Sequence, residues 1–312
     1  MNTEFHIPVL LNKAVELLIN PEIKEPVFAD GTTGGGGYSK KICESCESLK
    51  LLVCFDKDLN ALEFSRKKLE QYSQKIKFVN RNFADLKIVA DELKLEKLSG
   101  LVLDLGLSNY QLTDEEGFSY LRETKLDMRA DKSKMLAAAE ILNSYDKENL
   151  IRIFRDFGEI GNEERLANAI TGKRKSGKIE TTFDLNGIIE SEYRINSTAL
   201  NKFLSKIYQA IRIEVNGELE DLKKVLEDSF ELIENKGRLV VVSYHSLEDR
   251  IVKNFIKEKA FTPSVSKYGK KETGAVKKLK IITKKAHLPD WEEIKSNPKS
   301  RSAKLRAAEI NE

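Results

Sequence analysis

The sequence predicts an α/β protein: a doubly wound, mostly parallel sheet, split by an inserted block of helices. Three observations carry this. Short apolar runs at 26–29, 51–55, 76–79 and 100–106 alternate with helical patterns, and each ends in acidic or polar residues. The first runs straight into Asp30-Gly31-Thr32-Thr33-Gly34-Gly35-Gly36-Gly37, where glycine lets a backbone take positive φ or approach a ligand closely. From about Ser108 to Arg212 the strand pattern vanishes while helical periodicity persists, and a further strand pattern follows it.

Taken in order, residues 6–18 read as an extended lead-in and an amphipathic helix stopped near Pro21. The glycine loop passes into a helix near Lys40. Strand two ends at Asp56-Lys57-Asp58, and the next helix, 60–72, carries Ala61, Phe64, Lys68 and Leu69 at helical spacing. Strand three ends in Asn80-Arg81-Asn82-Phe83-Ala84-Asp85, followed by a helix over 86–93. Helical patterns then occupy 137–142, 147–157, 162–171, 183–193 and 200–211. A long helix over 218–233 and a turn at Asn235-Lys236-Gly237 lead to strand five, 238–244. These assignments divide the chain into a sheet domain, 1–108 with 213–312, and a helical insertion, 109–212. Residues 264–306 are rich in lysine and arginine, which reads either as a solvated surface or as a contact for phosphates.

Composition narrows the class. A chain of 312 residues with 40% hydrophobic and 33% charged side chains is ordinary for a globular protein with a substantial core. A net charge of +3 does not by itself mark a nucleic-acid binder. No apolar run reaches membrane-spanning length and no secretory leader pattern is visible, so a cytoplasmic protein without membrane contact is expected. Cys43 and Cys46 share a helix face at i, i+3, Cys54 lies in a strand, and the three histidines show no ligand-like pairing. No metal site is therefore expected.

In open parallel sheets ligands bind beyond the carboxyl ends of the strands, so the residues there carry the chemistry. Asp56 at the end of strand two is placed to accept hydrogen bonds from both ribose hydroxyls of a nucleoside, which suits NAD and S-adenosylmethionine alike. Asp30 before the loop suits a cofactor amine better than a pyrophosphate, and the loop lacks a clean Gly-x-Gly-x-x-Gly. Phe83 offers a face to an adenine, or else packs into the core. Asp104 and the Asn109 side-chain carbonyl suit a methyl acceptor that is an exocyclic amine. Accepting its N–H groups favours the localised lone pair and takes up developing positive charge. Asp104 serves equally well as a turn cap, and Tyr110 is placed to stack on the base. His245 follows strand five as a general base or as a neighbour of a helix cap formed with Ser246 and Glu248.

Together, residues 30–39, Phe55-Asp56-Lys57-Asp58, Leu103-Asp104-Leu105-Gly106 with Gln111, Gly117-Phe118-Ser119, Leu126-Asp127-Met128-Arg129, residues 209–216 and His245–Arg250 resemble the ribosomal RNA small-subunit methyltransferase H (MraW) family. The likeness covers essentially the whole chain. It implies a Rossmann-like class I S-adenosylmethionine-dependent methyltransferase sheet with a helical domain for rRNA recognition. The implied reaction methylates N4 of a cytidine in the decoding region of 16S rRNA, with S-adenosyl-L-homocysteine as the other product. The implied partner is 16S rRNA in the small subunit or a late precursor, and a homodimer is compatible. Carried over by motif, the cofactor contacts Gly34, Gly36, Gly37, Tyr38, Asp56, Phe83, Asp104 and Gln111, with Asp30 beside them. The sequence departs from the family pattern at Tyr38, where histidine is usual, and at Asn109-Tyr110, where Ser-Pro is usual. It departs again at Glu116, where arginine is usual, and before Gln209, where a Pro-Ala-Thr pattern is missing. Three alternatives stand beside this reading: a methyltransferase for another amine, a nicotinamide dehydrogenase, and a non-catalytic RNA-binding assembly factor.

Overall fold

The computed structural model describes residues 8–106, 116–260 and 278–312. It resolves into two compact units, residues 1–106 with 220–312, and residues 107–219.

The first unit is built on a seven-stranded sheet. Its strands are β1 (Val27–Asp30), β2 (Leu51–Asp56), β3 (Ile76–Asn80), β4 (Leu98–Asp104), β5 (Ile233–Ser243), β6 (Lys278–Ile281) and β7 (Lys304–Asn311). Their order is β3-β2-β1-β4-β5-β7-β6. Strands β1 to β5 run parallel, whereas β7 is antiparallel to both β5 and β6.

Because side chains alternate across a strand, each strand feeds two cores. Ala29, Val53, Leu101, Leu103, Leu239, Val241 and Ala308 pack on one face, against α4 (Leu86–Glu92), α10 (Glu218–Leu232) and α11 (Ser246–Ala260). Phe28, Leu52, Cys54, Val102, Val240, Val242 and Ala307 pack on the other, against α1 (Leu11–Leu18) and α2 (Gly37–Ser45). Helix α3 (Leu59–Lys68) buries Ala61 and Leu62.

The second unit is helical: α5 (Ala138–Ser144), α6 (Lys147–Asp156), α7 (Glu163–Lys173), α8 (Thr182–Glu192) and α9 (Ser197–Asn216). It has its own core, including Leu142, Ile153, Phe154, Leu166, Ile189 and Ile207. The Leu126-Asp127-Met128-Arg129 turn is pinned to the end of α9. The Asn216 amide donates to the Met128 carbonyl at 2.9 Å, and its oxygen accepts from Ala130 N–H at 2.9 Å. Burial opposes ionisation of Asp127, but the hydrogen-bonded Arg129 guanidinium outweighs it and holds the carboxyl at about 2.

Two differences from the sequence reading have physical causes. The Asn235-Lys236-Gly237 turn lies inside β5, which begins at Ile233. The register jumps from Leu98↔Ile233 to Gly100↔Arg238, so the turn is an irregularity in the ladder, with Lys236 at φ 67°. The basic segment is not one uniform strip. Its later part supplies β6, α12 (Trp291–Ser296) and β7, which complete the sheet. There Arg306 and Lys304 pair with Asp249 at 2.6 and 3.5 Å, and Lys280 pairs with Glu309 at 3.0 Å. Those charges are spent within the fold, so the phosphate-contact reading does not extend to them. Lys267, Lys270, Lys271 and Lys277 lie outside the described residues.

Candidate active site

The carboxyl ends of β1, β2, β4 and β5 present Asp30, Asp56, Asp104 and Tyr244 along one edge of the sheet. The glycine loop crosses this edge and is tied down from both sides. Gly31 N–H donates to the Val102 carbonyl and Thr33 N–H to the Phe55 carbonyl, both at 3.0 Å. Gly37 admits no side chain, since a Cβ there would fall 2.1 Å from Pro8 Cγ. Gly34 and Gly36 hold φ of 48° and 71°, the left-handed region that favours glycine. From α3, Ser65 Oγ donates to the Gly34 carbonyl at 2.6 Å and Lys68 Nζ to the Gly35 carbonyl at 2.9 Å.

Asp56 grips the loop directly. Its Oδ2 accepts from Gly34 N–H at 2.7 Å and its Oδ1 from Asp58 N–H at 2.9 Å. Burial nonetheless pushes its carboxyl up to about 6. Asp30 lies beneath the loop, fully buried, with Ser39 Oγ donating to Oδ2 at 2.6 Å and Thr32 N–H to Oδ1 at 3.2 Å. Loss of water raises it to about 7, and the nearby Asp56 and Asp104 charges push the same way, against those two hydrogen bonds. The carboxylate faces inward, where the sequence reading had it facing a ligand amine.

The Tyr38 ring is also buried, and its hydroxyl donates to the Val9 carbonyl, so this side chain closes the core under the loop. Phe83 is partly buried against the core cluster, with the Lys57 ammonium 5.7 Å from its ring centroid. Lys57 and Asn82 both bond to Asp221 on α10, which fixes the loops after β2 and β3 relative to each other.

Asp104 is held at two points. Its backbone N–H donates to Thr32 Oγ1, and its Oδ1 accepts the Tyr244 hydroxyl, both at 2.7 Å. Burial first, then the Asp104 charge, keep the Tyr244 phenol protonated far above its usual range. The Tyr244 ring packs on Gly106, where a Cβ would meet it at 3.0 Å. Tyr244 is the residue that sequence reasoning passed over. Its place as the last residue of strand five was the only signal, and nothing in the sequence pairs it with Asp104.

His245 is the N-cap of α11. Glu248 Oε2 accepts from Tyr244 N–H at 2.8 Å and His245 N–H at 3.2 Å, and Glu248 N–H reaches back to His245 Nδ1 at 3.4 Å. Of its two sequence readings, the helix-cap one describes the contacts seen. Asn109, Tyr110 and Gln111 lie outside the described residues. Among the described residues no group of three or more His, Cys, Asp or Glu side chains is arranged to hold a metal ion, and Cys43, Cys46 and Cys54 are free and buried.

A sheet of this order with an antiparallel seventh strand, carrying an acid-and-glycine loop after its first strand, is that of class I S-adenosylmethionine-dependent methyltransferases. The pattern of the MraW methylase family matches residues 3–311, and the chain belongs to that family. It is 42% identical, over 97% of this chain and 98% of the relative, to "Ribosomal RNA small subunit methyltransferase H" of Caldicellulosiruptor bescii. Proteins of the same name from Fusobacterium nucleatum and Clostridioides difficile are each 38% identical, over 99% and 97% of this chain and 98% of each relative.

Proposed function

We propose that this protein transfers the methyl group of S-adenosyl-L-methionine to N4 of a cytidine in the decoding region of 16S rRNA, acting in the cytoplasm on the small subunit or a late precursor. The observation that carries it is the near-full-length likeness to relatives named for rRNA small-subunit methylation. The donor set at the sheet edge fits the cofactor: Asp56 and Asp104 present carboxylates suited to a cationic ligand bearing hydroxyls. The bound cofactor contributes an electrophilic methyl group on a sulfonium. In this reading Asp56 accepts from the ribose hydroxyls, Phe83 lies against the adenine, and Gly34, Gly36 and Gly37 let the backbone approach closely. Asp30 and Tyr38 act from below by shaping the loop.

Asp104, oriented by Tyr244 and Thr32, accepts an N–H of the target amine. That contact localises the nitrogen lone pair and stabilises the positive charge that forms as nitrogen bonds to carbon. Asn109 and Tyr110 are assigned the second acceptor and a stacking face, and Gln111 a cofactor contact, on sequence grounds. Residues 109–212 are assigned to rRNA recognition. The test uses radiolabelled S-adenosylmethionine with undermethylated small subunits, followed by nucleoside analysis. Label in N4-methylcytidine is expected. Label in another nucleoside moves the target, and RNA binding without label leaves an assembly factor.

A further inference from the structure

We propose that Trp291 and the exposed cations of the same segment form an outlying contact for single-stranded RNA, in which an unpaired base of the substrate stacks on the indole. The proposal rests on the rRNA reading and adds a recognition element outside the reaction centre. Trp291 is the only tryptophan of the chain, and it is 76% exposed. With Leu288, which is 57% exposed, it makes too small a patch for a stable protein interface, but the indole suits one base.

The fold puts it at the edge where the chemistry lies. Strand β7 runs antiparallel to β5, so Lys304 at its start pairs with Ser243 at the end of β5. The segment leading into β7 therefore sits at the carboxyl edge of the parallel strands. His287 and Leu305 exchange backbone hydrogen bonds at 2.9 Å, which fastens the beginning of that segment. Helix α12 is capped by Asp290, whose Oδ1 accepts from Glu293 N–H at 2.8 Å. It is also anchored through Glu293 Oε1, which accepts from Leu10 N–H at 2.6 Å. Glu293 is near enough to contribute to the raised pKa of both Tyr38 and Tyr244, after burial and closer charges. The indole thus stands on a fixed support beside the site, and little ordering is needed on binding.

The same segment carries cations that the fold does not use. Lys280, Lys304 and Arg306 are paired within the sheet, as described above. Lys284, Lys285, Lys295 and Arg301 are exposed and have no ion-pair partner among the described residues. Three acids, Asp290, Glu292 and Glu293, flank the indole along the chain, and Asp290 and Glu293 also accept the backbone N–H groups that hold α12 in place. An exposed aromatic face on a segment that also carries unpaired cations is how single strands are held without sequence readout.

The full-length protein reports on this contact through its own fluorescence, because Trp291 is the sole indole. Titration with a single-stranded oligonucleotide of the 16S decoding region should quench it, whereas heparin, which has charge but no bases, should leave it nearly unchanged. Trp291→Ala should raise KM for undermethylated small subunits about tenfold, with the loss in KM rather than kcat. Trp291→Phe should recover much of it. Replacing Lys284, Lys285 and Lys295 by Gln should flatten the salt dependence of oligonucleotide binding. Equal quenching by heparin would overturn base stacking. A spectral shift that follows protein concentration without RNA would reassign the patch to a second copy of the chain. Methyl transfer by the wild type with an unaltered KM in Trp291→Ala sinks the contact and leaves the function standing. The fluorescence result decides the contact even if no methyl is transferred.

Discussion

Asp104 takes a hydrogen bond from the Tyr244 hydroxyl. Tyr244→Phe keeps the ring packed on Gly106 and removes only the donor to Oδ1. Hydrogen bonds to charged groups contribute about 1.5–3 kcal/mol, so turnover should fall about tenfold or more. Cofactor affinity by calorimetry should hardly change; a large loss there would place Tyr244 in cofactor binding instead.

Asp30 sets a pH dependence of definite sign. Its carboxyl is raised from an ordinary 3.8 to about 7, so between those values the folded chain holds a proton that the unfolded chain has lost. Stability from this group is fully present below the lower value and lost as pH rises through the higher one. Asp56, raised to about 6, acts in the same direction. The urea midpoint of the ligand-free protein should fall between pH 5 and 8, and Asp30→Asn should flatten that fall. A midpoint that climbs over this range would contradict the assignment. By the same linkage, a cationic ligand should expel protons on binding near neutral pH, which calorimetry in buffers of different ionisation enthalpy measures.

At the scale of elements, helix α11 begins with a reciprocal cap that also holds Tyr244. Glu248→Ala would strip the acceptor from the Tyr244 and His245 N–H groups, costing about 1–2 kcal/mol. Glu248→Gln keeps a carbonyl acceptor and should recover most of it in urea denaturation. Equal loss in both variants would show that the charge at the helix N-terminus matters more than the cap.

The elements themselves were largely legible. Strands β1, β2 and β4 declared themselves because each is buried on both faces and ends in a polar residue, while the partly exposed β3 was marked by its apolar run and polar end. The ribosomal methyltransferase likeness was legible too, in blocks spread over the chain. What stayed hidden was non-local. Lys304-Leu305-Arg306-Ala307-Ala308-Glu309-Ile310-Asn311 reads as basic tail until it is seen that Arg306 meets Asp249 and Glu309 meets Arg238. The inward turn of Asp30 and Tyr38 was equally invisible, because spacing along a chain places a residue near a loop without saying which side of it the side chain takes.

At the scale of the whole molecule, the helical unit holds a core of its own, with Ile153, Phe154, Leu166, Ile189 and Ile207 inaccessible to solvent. A fragment of residues 107–219 should therefore melt cooperatively by circular dichroism, without the sheet. A broad, non-cooperative melt would mean that its stability is borrowed.

Strand order has a temporal side. β6 precedes β7 along the chain, yet among the described residues its one neighbour in the sheet is β7, which slots between it and β5. During synthesis the hydrogen-bonding edge of β5, with Val240 and Val242 beside it, stays unpartnered until residues 304–311 emerge and zip in. A message broken shortly before that point would yield a chain with a bare, sticky flank, marked for aggregation or proteolysis.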